Sequence, residues 1–273
     1  LLARGWIDDT LNQPAAERGP GAKVPLAADF PRQRIEVVRG PRAEDRLQEL
    51  FLRRGWSDGL PVVPPTVARV KQALSFTDRA PTELLGEVEP LKGLATVEKV
   101  AVNAVMAGCR PEYLPVVLAA VECVLDPDFN MRGVQTTDEN VAPMLIVNGP
   151  VARELGVNAS FGVLGPGWQA NAAIGRALRL VMHNIGGGWP GAVAFAGLGQ
   201  PGRYTLCLAE NEAQSPWAPL QPTSAVTVTP CRAIVANAAS GLGSAPNTTV
   251  PPTVSAPSRP GHASGKLWPA GSD

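Results

Sequence analysis

The chain has 273 residues, 45% apolar and 18% charged, enough to build a substantial core in one large domain or two small ones. Its 24 basic and 24 acidic residues cancel, and the pI is near 6.9, so nucleic acid and acidic membrane are excluded as expected partners. No apolar run approaches the roughly 20 residues that span a bilayer, and "LLARGWIDDT" lacks the basic-then-apolar order of a secretory signal, so a cytoplasmic location is expected.

Residues 1–42, rich in Pro, Gly, Arg and Ala, read as an extended arm or linker with a short strand at "RIEVV". The sequence begins without an initiator Met, and a processed, trimmed or fragmentary chain is the expectation this raises. "AEDRLQELFLRRG", 43–55, spaces Leu47, Leu50 and Phe51 as a helix does, and Gly55 suits its end. In "WSDGLPVVPPT", Asp58-Gly59 signals a turn and Pro64-Pro65 forbids a helix or central strand. Thr66 then caps a helix over "VARVKQALSF".

"LATVEKVAVNAVMAG", 94–108, reads as a helix between a Thr96 cap and a Gly108 stop. Pro111 fits the first turn of the next, "PEYLPVVLAAVECVL". Both are apolar over most of their surface and are expected to be buried. "APMLIVNGP", 142–150, is the clearest strand, closed by Asn148-Gly149-Pro150, and "VARELGV" is a short helix after it. "FGVLGPGWQ" is a Gly-rich loop leading into a strong helix, 170–188. "RYTLCLAENE" and "SAVTVTPCRAIVAN" read as strands. From about Ala238 the chain is mostly Gly, Ser, Pro, Thr and Ala, and a disordered tail over 238–273 is expected. The fold class is therefore a single mixed α/β domain over 43–237.

Four cysteines, Cys109, Cys123, Cys207 and Cys231, form no CxxC pair and match no common zinc spacing; the histidines are His183 and His262. Reduced thiols and no metal are expected, and the sequence points to no cofactor. Cys109 attracts the chemical reading. If Gly108 ends one helix and Pro111 opens the next, the thiol sits in the positive field of a helix N-terminus with Arg110 beside it. Such surroundings lower a thiol pKa and supply a nucleophile at neutral pH. The alternative is a small buried residue in a tight helix corner, the commoner fate of a free cysteine.

Other polar groups complete a candidate site. Glu210 and Glu212, at a strand end, point the same way and can move a proton or hold a cation, unless they line a solvated turn. Arg176, Arg179 and His183 share one helix face. Arg176 stands among small apolar residues and needs a partner, either a substrate carboxylate or a structural one. His183 is favoured near a helix C-terminus by the dipole alone. Asn171 follows the Gly-rich loop, where backbone amides can receive an anion, or it is a plain cap. Trp56 and Asp58, beside rigid prolines, suit a pocket wall. With Arg110 and Asn148 these make the substrate-binding set. The Gly-rich loop over 161–171 matches neither GxxxxGK[ST] nor GxGxxG, and HExxH is missing from the sequence.

Together "RGWSDGLPVVPPT", "AVNAVMAGCRPEYLPVVLAAVE", "IGRALRL" and "ENEAQSPW" resemble a group of poorly characterised bacterial proteins. Members of that group lie beside, or are fused to, the UGSC family of selenocysteine- or cysteine-containing proteins. The resemblance covers residues 51 to about 220. The chain has no Cys-Gly-Ser-Cys motif, so the resemblance implies a partner domain rather than the UGSC part itself. Three functions follow as expectations. One is a small-molecule enzyme using Cys109, with Arg176 holding an anionic substrate and Glu210 or Glu212 moving a proton in thiol-dependent or addition–elimination chemistry. Another is a non-catalytic subunit bound to the product of a neighbouring gene. The third is a metal-dependent hydrolase using Glu210 and Glu212.

Overall fold

A computed structural model describes residues 42–218 and two further strands, Ala225–Arg232 and Thr253–Ser255, as backbone. The expected N-terminal arm, with its "RIEVV" strand, and most of the expected tail lie outside these residues. So do the side chain of Cys231 and all of His262.

The described chain is a mixed α/β structure. Seven α-helices run in order: α1 Ala43–Arg53, α2 Val67–Leu74, α3 Val97–Met106, α4 Leu114–Leu125, α5 Met131–Thr136, α6 Pro150–Glu154 and α7 Gln169–Asn184. A hairpin of β1 (Leu84–Val88) and β2 (Gly93–Thr96) precedes α3. A second sheet has the order β4–β3–β5–β6, where β3 is Val141–Asn148, β4 Cys207–Ala209, β5 Ala225–Arg232 and β6 Thr253–Ser255. The pair β3–β4 is parallel; β3–β5 and β5–β6 are antiparallel. A parallel pair needs a long crossover, and α6 and α7 lie in the chain that supplies it.

The expected caps are present. Thr66 and Thr96 accept from the amides of Arg69 and Lys99, satisfying donors a helix start leaves open. Gly55 and Gly108 adopt φ of 65° and 85°, the left-handed region where a Cβ is unfavourable, and so end α1 and α3. Helices α3, α4 and α7 supply the centre of the core, where Val97, Val100, Leu114, Ile174, Leu180 and Met182 are wholly buried.

The hairpin β1–β2 was not anticipated, and residues 94–96, read as helix, are its second strand. Its seat depends on glycines. A Cβ at Gly93 would lie 1.9 Å from the carbonyl oxygen of Ile185, and one at Gly186 would lie 2.7 Å from the carbonyl oxygen of Glu89 in the hairpin turn. Only bare backbone allows the end of α7 to pass this close to the hairpin. The strand expected at "RYTLCLAENE" is shorter than its pattern: Pro201–Arg203 form a 3-10 turn and only Cys207–Ala209 pair. Within the expected tail, Thr253–Ser255 pair with β5.

Two prolines sit opposite each other in the middle of the sheet, Pro143 on β3 and Pro230 on β5. A proline in a central strand normally costs a ladder bond. Here the Leu145 amide turns toward β4, donating to Leu206 O at 2.9 Å, so the Pro143 nitrogen two residues earlier faces the same side. There β4 has not yet begun, since its pairing starts at Leu145.

Candidate functional site at the carboxyl end of the parallel strands

The structure gathers the polar candidates into two groups. The first lies where β3 and β4 end, the place ligands occupy in open α/β sheets. Asn148 is the last residue of β3 and is fully buried. Its Nδ2 donates to Glu210 Oε2 across the strand ends. Glu212 Oε1 accepts from the amide of Gly149 at 2.5 Å. Asn148 Oδ1 is buried and meets no donor among the described residues. Glu210 and Glu212 thus converge on the β3–α6 junction, although β4 ends at Ala209 and Glu212 lies in a turn, so strand alternation is not what aligns them.

Asn171, assigned to substrate binding, is a brace instead. Its Oδ1 accepts from the amide of Asn158 at 2.8 Å, and its Nδ2 donates to the carbonyls of Asn158 at 3.1 Å and Cys207 at 3.0 Å. Both Nδ2 hydrogens of this buried amide are committed to main-chain carbonyls, so it has no donor left for an anion. Asn158, its partner, was missed because nothing local marks it; the pairing spans 13 positions.

The second group surrounds Cys109. The N-cap of the 3-10 turn Pro111–Tyr113, which leads into α4, is Arg110, so Cys109 stands one residue before the cap. Its amide closes α3 by donating to Ala104 O at 3.0 Å, and its Sγ turns toward α7, donating to Ala173 O at 3.3 Å. Cys109 is half-buried and packs against the core, and the bond its Sγ makes is to α7. Burial first, and the neighbouring Cys207 second, push its pKa up; only the charge of Arg176 opposes them. The expected lowered thiol is therefore corrected: a donor bonded to a carbonyl in apolar surroundings stays protonated. Arg110, expected to assist, pairs with Glu112 at 2.5 Å and lies over the Tyr113 ring at 5.8 Å.

Arg176 is also corrected as a free substrate clamp. Its Nε and Nη2 each donate at 2.8 Å to the carboxylate of Asp58, and Nη2 also reaches Pro61 O at 3.0 Å. Burial acts to raise the Asp58 carboxyl, but the hydrogen bonds and charge of Arg176 outweigh it and hold it below its ordinary value of 3.8. Each residue expected to bind substrate satisfies the other. Trp56, expected in a pocket wall, is a core residue: it is buried, meets Phe51 edge-on at 5.4 Å, and its carbonyl accepts from Asn184 Nδ2 at 3.1 Å. His183 Nε2 binds Gly55 O at 2.9 Å, an anchor across chain segments beyond any effect of the dipole.

The two groups are separate. Cys109 lies near Cys207 at the start of β4, whereas Glu210 follows its end, three residues or about 10 Å further along an extended chain. Among the described residues no three His, Cys, Asp or Glu gather to hold a metal ion, and no helix is long and apolar enough to cross a membrane. Comparison of the chain with family models, with curated proteins and with solved structures finds no match.

Proposed function

We propose that the chain is a small-molecule enzyme, or the proton-transferring component of one, working at the carboxyl end of β3 and β4. Glu210 is the group that moves the proton. The observation behind this reading is Asn148: one end of its buried amide holds the Glu210 carboxylate, while Oδ1 has no donor among the described residues. A buried acceptor without a donor costs about 1–3 kcal/mol. A substrate presenting an N–H or O–H to that oxygen removes the cost and brings its own acidic proton beside Glu210. Addition–elimination suits such a pair. Cys109 stands apart from this place, and its buried, carbonyl-bonded thiol gives a nucleophilic thiolate no support.

The test is incubation of the protein with a cell extract and mass-spectrometric comparison with Glu210→Gln. The wild type is expected to deplete at least one metabolite that the folded variant leaves untouched. Equal profiles for the two folded proteins would end the proposal.

A second reading, a partner-bound subunit, is favoured by a separate observation. Phe161, Leu164 and Trp168 are 94%, 68% and 43% exposed on the one Gly-rich loop before α7. Apolar groups concentrated in this way mark interaction surfaces. Co-expression with the product of the neighbouring gene tests it, and a monomer eluting alone would argue against it.

A further inference from the structure

The opposite end of the same strand pair carries two arginines without a counter-ion among the described residues. Arg179 projects from α7 and is only 9% exposed. Its Nε donates to the carbonyl of Arg203 at 3.0 Å, and its Nη1 meets Met182 Sδ at 3.5 Å. That bond brings the Arg179 guanidinium beside Arg203, whose own Nη1 is buried and has no acceptor among the described residues. No carboxylate of the described residues pairs with either. Arg203 stands four positions before β4, so this place lies at the amino end of a strand whose carboxyl end holds Glu210.

Arg179, buried on α7 against the Arg203 main chain, and the buried Nη1 of Arg203 both lose hydration, and no negative charge among the described residues compensates them. Burial first, then the charge of Arg203, bring Arg179 down to about 10, which still leaves it a cation at neutral pH. A purely structural role explains the bond to the Arg203 carbonyl. It leaves the inward Nη1 of Arg203 without a purpose.

We propose that Arg179 and Arg203 form a binding site for a small oxyanion, a phosphate or a carboxylate. The guanidinium fork matches such anions bidentately, and one bound anion would supply both the missing acceptor and the missing negative charge. Arg203 as a whole is half-buried, so the side chain that carries the buried Nη1 also reaches solvent. The inference does not rest on the chemistry proposed for Glu210, which lies at the other end of β4.

The test is thermal melting of the full chain against inorganic phosphate and, separately, succinate, with ionic strength held constant by chloride. A saturable rise in Tm with at least one is expected, because a ligand bound to the folded state stabilises it by mass action. The anion that saturates at the lower concentration names the class. In Arg203→Gln the apparent affinity is expected to fall about tenfold or more, as loss of a charge-assisted bond implies. Arg203→Lys, which keeps charge but loses the fork, serves as the second variant should the glutamine form not fold, and an intermediate loss is expected. No saturable response to either anion would overturn the proposal, and so would equal responses in wild type and the folded variants.

Discussion

Arg176 and Asp58 hold one another in a pair whose side chains are about one-seventh exposed. Asp58→Asn leaves a largely buried guanidinium with a weaker acceptor. A loss of roughly 2–4 kcal/mol is expected in urea unfolding, between the cost of breaking a surface pair and a fully buried one. That Arg176 needs a partner could be read from its apolar neighbours; that the partner is Asp58 could not, because 118 positions separate them. Cys109 teaches the same lesson. The sequence places it correctly between a Gly stop and a Pro start, yet the direction of its Sγ depends on α7, which no local pattern reveals. Iodoacetamide at pH 7 is expected to label Cys109 slowly in the folded protein, and about tenfold or more faster in urea, read peptide by peptide. Fast labelling of the folded form would restore the thiolate reading.

Between helices and hairpin, contact depends on backbone passing backbone. Leu91 N donates to Gly186 O at 3.0 Å, and the Gly93 position leaves no room for a methyl group against Ile185 O. Gly93→Ala is expected to cost about 3 kcal/mol or more, because the obstructing atom is main chain and cannot rotate away. Circular dichroism melting of the variant measures it. The helices were legible because their caps are local: Thr66, Thr96, Gly55 and Gly108 each act within a few residues. The hairpin was not, since "LLGEV" has no clean alternation and Gly86 interrupts its register. Strand β4 was over-read for the converse reason: alternation continued in the sequence beyond the three residues that find a partner.

Over the whole molecule, acid stability gathers at one interhelical anchor before it reaches the carboxylates. Burial, with Arg179 adding to it, keeps His183 below its ordinary 6.5, although its bond to Gly55 O and the charge of Asp58 oppose this. The unfolded chain therefore binds the proton more readily, and stability is expected to fall as pH drops below about 6.5. Asp58, also lowered, adds a further loss below its ordinary 3.8, because protonation removes its bond to Arg176. Urea titrations from pH 7.5 to 5 should show the first loss, and His183→Gln should flatten it. An unchanged slope in the variant would remove His183 as the cause.

The second sheet is bordered on both sides by strands of three residues, β4 and β6. Among the described residues, Val141–Met144 of β3 and Val228–Arg232 of β5 run past those margins, and each stretch carries a proline, Pro143 or Pro230, that offers a stray chain no amide to bond. The described strands are thus poor templates for fibril-like stacking, and recognition by another molecule is left to side chains projecting from loops and helix surfaces.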